Sequence, residues 1–365
     1  MATRYWVGGT ASWTNNNTHW SATSGGAAGA SFPTAADDVV FDANSGVGNF
    51  TCTLSASANP TCRNFTMTNC TGTITGNPST ILSVWGTAFT LDPTGTFDPQ
   101  NYPIVNFVGT AGCNITCSAQ SFGSVNFNGG NAAVYNLLDD FLAFPHGSVI
   151  TLNSGTFNAN GHVVDVGSFI AATGTGAKTV NMGSGRWYLS GNGLQNPNVW
   201  FIDPATNLNV STAQITLTSD TVDLRTFNGG NKTYNKLTLG LATASGTVYI
   251  KGSNTFTQLD SLITNAINLI FDVGATNTFG SFTVQGYGGN FVTLTSNGAG
   301  QTTLVKTNPT DYWYMGANSV NAGNNTNLIF ASPSSIDYLN VSNILGFPAA
   351  PTPPANTGNF FMLLK

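Results

Sequence analysis

Charged residues make up 7% of this 365-residue chain, and all 15 acidic residues are Asp. Surface helices draw their polar face from Glu, Lys, Arg and Gln, whose straight side chains lose little rotamer freedom there, so long helices are excluded. A formal charge of −5 with no basic run excludes nucleic-acid binding through phosphate neutralisation, and 41% hydrophobic residues with 24 Phe exclude a disordered chain.

Taken in chain order, residues 1–45 stand apart. Trp6, Trp13 and Trp20 lie seven apart, the spacing of a helical stripe, but Gly8, Gly9 and the run Thr14-Asn15-Asn16-Asn17-Thr18 oppose a helix by propensity. The reading is a small β cap with a tryptophan core. Its first residues contain no apolar core of signal-peptide length. Nowhere does the chain approach the ~18 apolar residues of a membrane span, so no membrane insertion is expected.

Residues 46–345 alternate apolar and polar in short runs, such as Asn64-Phe65-Thr66-Met67-Thr68, Val125-Asn126-Phe127-Asn128, Ile215-Thr216-Leu217-Thr218 and Phe291-Val292-Thr293-Leu294. Each predicts a brief strand with one buried face. Turns such as Gly76-Asn77-Pro78 and Asn297-Gly298 separate them. A longer echo joins two places: Phe127-Asn128-Gly129-Gly130-Asn131 and Phe227-Asn228-Gly229-Gly230-Asn231, each followed within a few residues by Tyr-Asn. Alternation alone also suits a β-sandwich; the echo favours a solenoid. The expected fold is all-β: a right-handed parallel β-helix of roughly 20–25 residues per coil, about a dozen coils and on the order of 55–60 Å of shaft. Residues 346–365 read as a Pro-rich, extended tail ending in Phe360-Phe361-Met362-Leu363-Leu364-Lys365, apolar enough to dock on its own chain or a neighbour.

Little of the sequence suggests chemistry. Cys52, Cys62, Cys70, Cys113 and Cys117 are odd in number and fit reduced, buried thiols; Cys113-x-x-x-Cys117 lacks a second pair or a nearby His for zinc. Glycan cleavage would need two carboxylates about 5–10 Å apart. The candidates are Asp139 with Asp140, Asp220 with Asp223, and Asp165, set against the ordinary role of Asp in capping turns. Asp37, Asp38, Asp42 and Asn44 offer oxygen ligands without an EF-hand spacing. His19, His146 and His162 have no triad partners in sequence. Gly174-Thr175-Gly176 and Gly183-Ser184-Gly185 precede no helix and read as turns, not phosphate loops. Sugar stacking is open to Trp187-Tyr188, Trp200-Phe201 and Tyr312-Trp313-Tyr314, one ring of each strand pair facing inward. No catalytic, cofactor or metal residue is assigned.

Three stretches carry a resemblance. The first is Arg4-Tyr5-Trp6-Val7-Gly8-Gly9, Trp13, His19-Trp20-Ser21, Ser24-Gly25-Gly26, Pro33-Thr34 and Ala36-Asp37-Asp38-Val39-Val40-Phe41-Asp42-Ala43-Asn44-Ser45. The second runs from Gly155-Thr156-Phe157-Asn158 through the second echo to Gly252-Ser253-Asn254-Thr255-Phe256, and the third is Trp313-Tyr314-Met315-Gly316-Ala317-Asn318-Ser319-Val320-Asn321-Ala322-Gly323-Asn324-Asn325-Thr326-Asn327-Leu328-Ile329-Phe330. Together they resemble a family of phage and metagenomic β-solenoid proteins of the tail-fibre and structural kind. That family usually has Asp where Asn321 stands and Gly-Trp where Asn327-Leu328 stand. Its Asp-Tyr-Leu strand precedes the third motif, whereas Asp337-Tyr338-Leu339 follows it here.

The resemblance implies a non-enzymatic virion protein made in the host cytoplasm without a signal peptide. It would be a fibre- or spike-like subunit for host attachment, a homotrimer in contact with other virion structural proteins and with host-surface glycan. A capsid decoration or cement protein and a glycan-depolymerising tailspike are the alternatives.

Overall fold

The computed structural model describes residues 1–307 except 14–16, 47, 56–59, 78, 99–102, 144–146, 192–197, 220–223, 241–244, 285–291 and 299–301, together with the strands Val320–Asn321 and Leu328–Ala331. Those residues form an all-β solenoid of stacked parallel coils, as the alternation and the echo predict. The one helical element among them is the 3-10 turn Asn17–His19.

Each early coil lays one short strand on each of three faces. Lys178–Asn181, Arg186–Leu189 and Asn198–Ile202 make one such coil. Face one is a ten-stranded ladder, face three a twelve-stranded one, and face two is divided into ladders of four and ten strands. Twelve strands about 4.8 Å apart give roughly 50 Å of rod.

The pairing is in register, so like residues stack on like. Inward positions are apolar, as in Val149–Leu152, where Ile150 and Leu152 are buried and Val149 and Thr151 are not. In consecutive coils this produces ring columns: Phe122 on Phe141 at 4.9 Å, Phe107 on Phe127 at 5.3 Å, and Phe256 on Phe279 at 5.7 Å. The coil spacing itself sets the offset stacking geometry that aromatic pairs favour. All five cysteines are free and buried in this core. Burial drives their thiols up, Cys113 to about 12.

The Phe-Asn-Gly-Gly-Asn echo is one corner, used twice, from face three to face one. Phe127 ends a strand on face three and Phe227 is the last inward residue of another, and Tyr135 and Tyr234 begin the next coil's inward side. Each tyrosine hydroxyl bonds the corner backbone from within: Gly129 N–H donates to Tyr135 at 2.6 Å, and Tyr234 donates to the Gly229 carbonyl at 2.8 Å. Gly230 takes φ 63°, and a Cβ there would lie 2.4 Å from the Ile202 carbonyl of the coil below. Only glycine fits a left-handed turn packed that closely.

At the N-terminal end, Thr3–Trp6 stacks in parallel on Asp38–Phe41, while Trp20–Ser21 pairs antiparallel on its other side and terminates face one. Trp6, Trp13 and Trp20 are buried and meet edge-on, Trp20 lying 5.1 Å from Trp6 and 5.0 Å from Trp13. The N–H groups of Gly29 and Ala30 both donate to the Trp20 carbonyl at 3.0 Å, which occupies part of an edge that would otherwise be open to another chain.

Two seams interrupt the ladders. The first lies on face two, between Thr96–Phe97 and Ser121–Phe122. The Gln120 side chain replaces the missing rung: its Oε1 accepts the Phe97 N–H at 3.0 Å, and its Nε2 donates to the carbonyls of Gly95 and Asp92 at 2.9 and 3.2 Å. The second lies on face one, where Asn207–Asn209 is the last strand of its ladder although faces two and three continue.

Above this second seam the cross-section changes. Thr233–Thr238 runs from the face-one position onto face two without a break, as do Thr255–Asp260 and Thr276–Thr283. Each of these strands bends where two successive residues point outward: Asn235-Lys236, Thr257-Gln258 and Gly280-Ser281. Three strands per coil have become two longer ones.

Candidate binding surface

Two of the carboxylates singled out in the sequence, Asp139 and Asp140, hold backbone N–H groups. Asp139 accepts the N–H groups of Cys117 and Ser118 at 2.7 and 2.6 Å, holding a turn in which Ser118 and Ala119 both have positive φ. Asp140 accepts the Val163 N–H at 2.9 Å and lies 3.7 Å from Nδ1 of His162. These three side chains share a shallow hollow with Ala119 and Leu142. Asp165 stands on the outer side of face two in register between Leu142 and Tyr188, and burial raises its carboxyl above the usual range.

Asp37, Asp38 and Asp42 diverge. Asp37 accepts from Thr34 and from the Ala2 N–H. Asp38 is clamped by Arg63 and Asn64, and Asp42 closes an Asx turn on the Asn44 N–H at 2.9 Å. No group of three metal-ligating side chains exists among the described residues. His19 stacks on Trp6 at 5.3 Å. In both described aromatic pairs one ring is core (Trp187, Trp200) and its neighbour (Tyr188, Phe201) faces outward, half-buried. Asp220, Asp223, His146, Tyr312-Trp313-Tyr314 and the Pro-rich tail lie outside the described residues. No helix among the described residues is long and apolar enough to cross a membrane.

A surface feature escaped the sequence reading. On the outer side of face one, Asn114, Asn136, Asn158, Asn181 and Asn209 stack in register. Each Nδ2 donates to the Oδ1 of the asparagine one coil below, at 2.9, 2.7, 2.6 and 2.6 Å, with 22, 22, 23 and 28 residues between partners. Amide dipoles aligned head to tail polarise one another. The column therefore ends at Asn209, whose side-chain oxygen, on the side of the next coil, accepts from no described residue.

That next coil does not pair. Met182 N–H donates to the Asn209 carbonyl at 2.9 Å, so the peptide groups of Asn207 and Asn209 face the coil below, and those of Leu208 face the open edge. Between this edge and the bent strand above it lies a groove of about 520 Å³. Half-buried Leu208 and Val210 supply its apolar part; Asn209, Ser211, Thr233 and Thr257 supply exposed amide and hydroxyl groups. Beneath it, Tyr234 is buried and fixed by Trp200, whose Nε1 donates to the hydroxyl at 3.0 Å. Asn235, which follows Tyr234 as Asn136 follows Tyr135, leaves the column and donates instead to the carbonyls of Thr212 and Ala213 at 2.9 and 3.3 Å, bridging the groove at one end.

The column had a signal in the sequence: an asparagine flanked by two non-polar residues, in Cys113-Asn114-Ile115, Tyr135-Asn136-Leu137, Phe157-Asn158-Ala159, Val180-Asn181-Met182 and Leu208-Asn209-Val210. The same triad also stands on face three, at Val105-Asn106-Phe107 and Val125-Asn126-Phe127, and at Tyr234-Asn235-Lys236 the pattern breaks, with a charge at the third place, where the strand turns outward. No family model, curated protein or solved structure matches the chain.

Proposed function

We propose that this chain is a non-enzymatic structural subunit, a stiff β-helical rod of the fibre or spike kind on a phage particle, assembled as a trimer and adhering to the host surface through its flanks. The observation that carries the reading is the twelve-stranded ladder of face three, in register except for a bulge at Val199, which makes the molecule a rod with one continuous core. Its outer wall is largely Thr, Asn and Ser, suited to many weak hydrogen bonds whose sum is raised by multivalency. Asp139 and Asp140 hold backbone N–H groups, which favours adhesion over glycan cleavage for that hollow. The sequence resemblance to phage β-solenoid proteins points the same way.

Immunogold labelling of intact particles with an antibody against the purified rod tests the assignment. Label on tail fibres or spikes is the expected result. Label on the head would instead favour a decoration protein, and particles without label would end the virion reading. Shortening of host polysaccharide by the purified protein would overturn the non-enzymatic part.

A further inference from the structure

The geometry points to the groove above Asn209 as a binding site for a neutral oligosaccharide, an assignment that rests on the adhesive reading and gives it a location. Four observations converge. No charged side chain lines the groove among the described residues, so these offer nothing specific to phosphate, sulfate, uronate or an acidic peptide. Its polar groups are amides and hydroxyls, each able both to donate and to accept, which is what vicinal sugar hydroxyls require. Leu208 and Val210 provide the small apolar surface that the C–H face of a pyranose covers. The terminal oxygen of the asparagine column adds an acceptor strengthened by four aligned amides beneath it.

The same edge is poorly built for a peptide strand. The strand Asn207–Asn209 exposes the peptide groups of one residue, Leu208, to the opening. Two residues later the chain turns away at Ser211, whose φ is 53°. Asn235 blocks one end. β-augmentation needs several consecutive rungs, whereas a compact ligand of two or three sugar rings needs none.

The test is a glycan array bearing neutral and anionic tri- to hexasaccharides, probed with the full chain and three variants. Asn209→Ala removes the terminal acceptor, Thr233→Trp fills the groove from an exposed strand position, and Thr53→Ala alters an exposed position on the N-terminal part of face two as a control. Unchanged melting curves verify folding. The expected result is binding of neutral glycans by the parent and Thr53→Ala, reduced at least tenfold in Asn209→Ala and Thr233→Trp. Undiminished binding by Thr233→Trp, a preference for anionic glycans, or loss of groove binding to an extended peptide in place of sugar would each overturn the assignment. If no glycan binds, adsorption of the fluorescent protein to host cells separates the two failures. Adsorption that persists, unaffected by Thr233→Trp, sinks the groove alone; its absence sinks the adhesive reading as well.

Discussion

The rod breaks its ladders twice, and the two breaks are treated in opposite ways. Between Phe97 and Ser121 the missing rung is replaced by an amide side chain reaching back into the gap, with Gln120 meeting one N–H and two carbonyls. Between Asn209 and Thr233 no described side chain fills the gap; Lys232 reaches the Pro204 carbonyl just before it, and Asn235 crosses its rim. A buried peptide group without a partner costs about 1–3 kcal/mol, so the first seam, half-buried, needs closing. The second is open to water and can stay open at little cost in stability, which leaves it free to bind.

The sharpest way to break this contrast lies inside the second region. Arg225 is fully buried and donates to the carbonyls of Ser219, Leu239 and Ser245, tying together consecutive coils where three strands become two. Arg225→Ala leaves those carbonyls in a cavity. A loss of at least ~3 kcal/mol is expected by urea denaturation; a loss under ~1 kcal/mol would mean that the open-seam coils do not depend on this internal tie.

The next effect belongs to the closed seam. Gln120→Ala strands the Phe97 N–H and should cost ~1–3 kcal/mol locally. The five cysteines all lie between residues 52 and 117, so they report on this half of the rod. Pulsed alkylation should label them at lower urea in Gln120→Ala than in the parent, while Trp200 fluorescence, near the open seam, moves less. Equal shifts in both probes would show one cooperative unit without distinct seams. Asn235→Ala should cost under ~1 kcal/mol, since the carbonyls it releases are within reach of water.

The smallest effects are those of pH. Thiol pKa values raised by burial, with Cys62 and Cys113 above the ordinary 9.0, keep the native thiols protonated while unfolded ones ionise. Stability from these groups is therefore complete below pH 9 and declines above it. At Asp37 burial pushes the carboxyl up, but hydrogen bonds from Thr34 and Ala2 outweigh it and the net shift is downward; Asp92 behaves similarly with Thr94 and Asn69. Their contribution is present above pH 4 and is lost as pH falls below it. Urea midpoints across pH 3–10 should show both flanks, and a profile flat at both ends would contradict the assigned environments.

Much of the fold was legible because period-two alternation and repeated turns are local signals. The repeat of Phe127-Asn128-Gly129-Gly130-Asn131 pointed to a solenoid; that it is a corner, where a glycine pair turns tightly against a neighbouring coil, came from the structure. The groove was not legible. Its residues are an Asn, a Ser and two Thr of a kind found throughout the chain, and what makes them a site is a strand that fails to pair. Absence of pairing has no local signature, save that Lys236 replaces the apolar residue that completes every earlier asparagine triad. Asp139 and Asp140 were weighed for glycan cleavage against the capping of turns, and only coordinates could locate the N–H groups they hold.

Amide hydrogen exchange resolved to single residues in the strand Asn207–Asn209 tests the central claim most directly. An edge left open predicts fast exchange at Leu208, beside protection at Asn209, whose N–H faces the coil below, and at Leu237 in the bent strand above. Protection at Leu208 equal to that of Asn209 would place a paired strand across the gap, and the change from three strands per coil to two would then leave no groove.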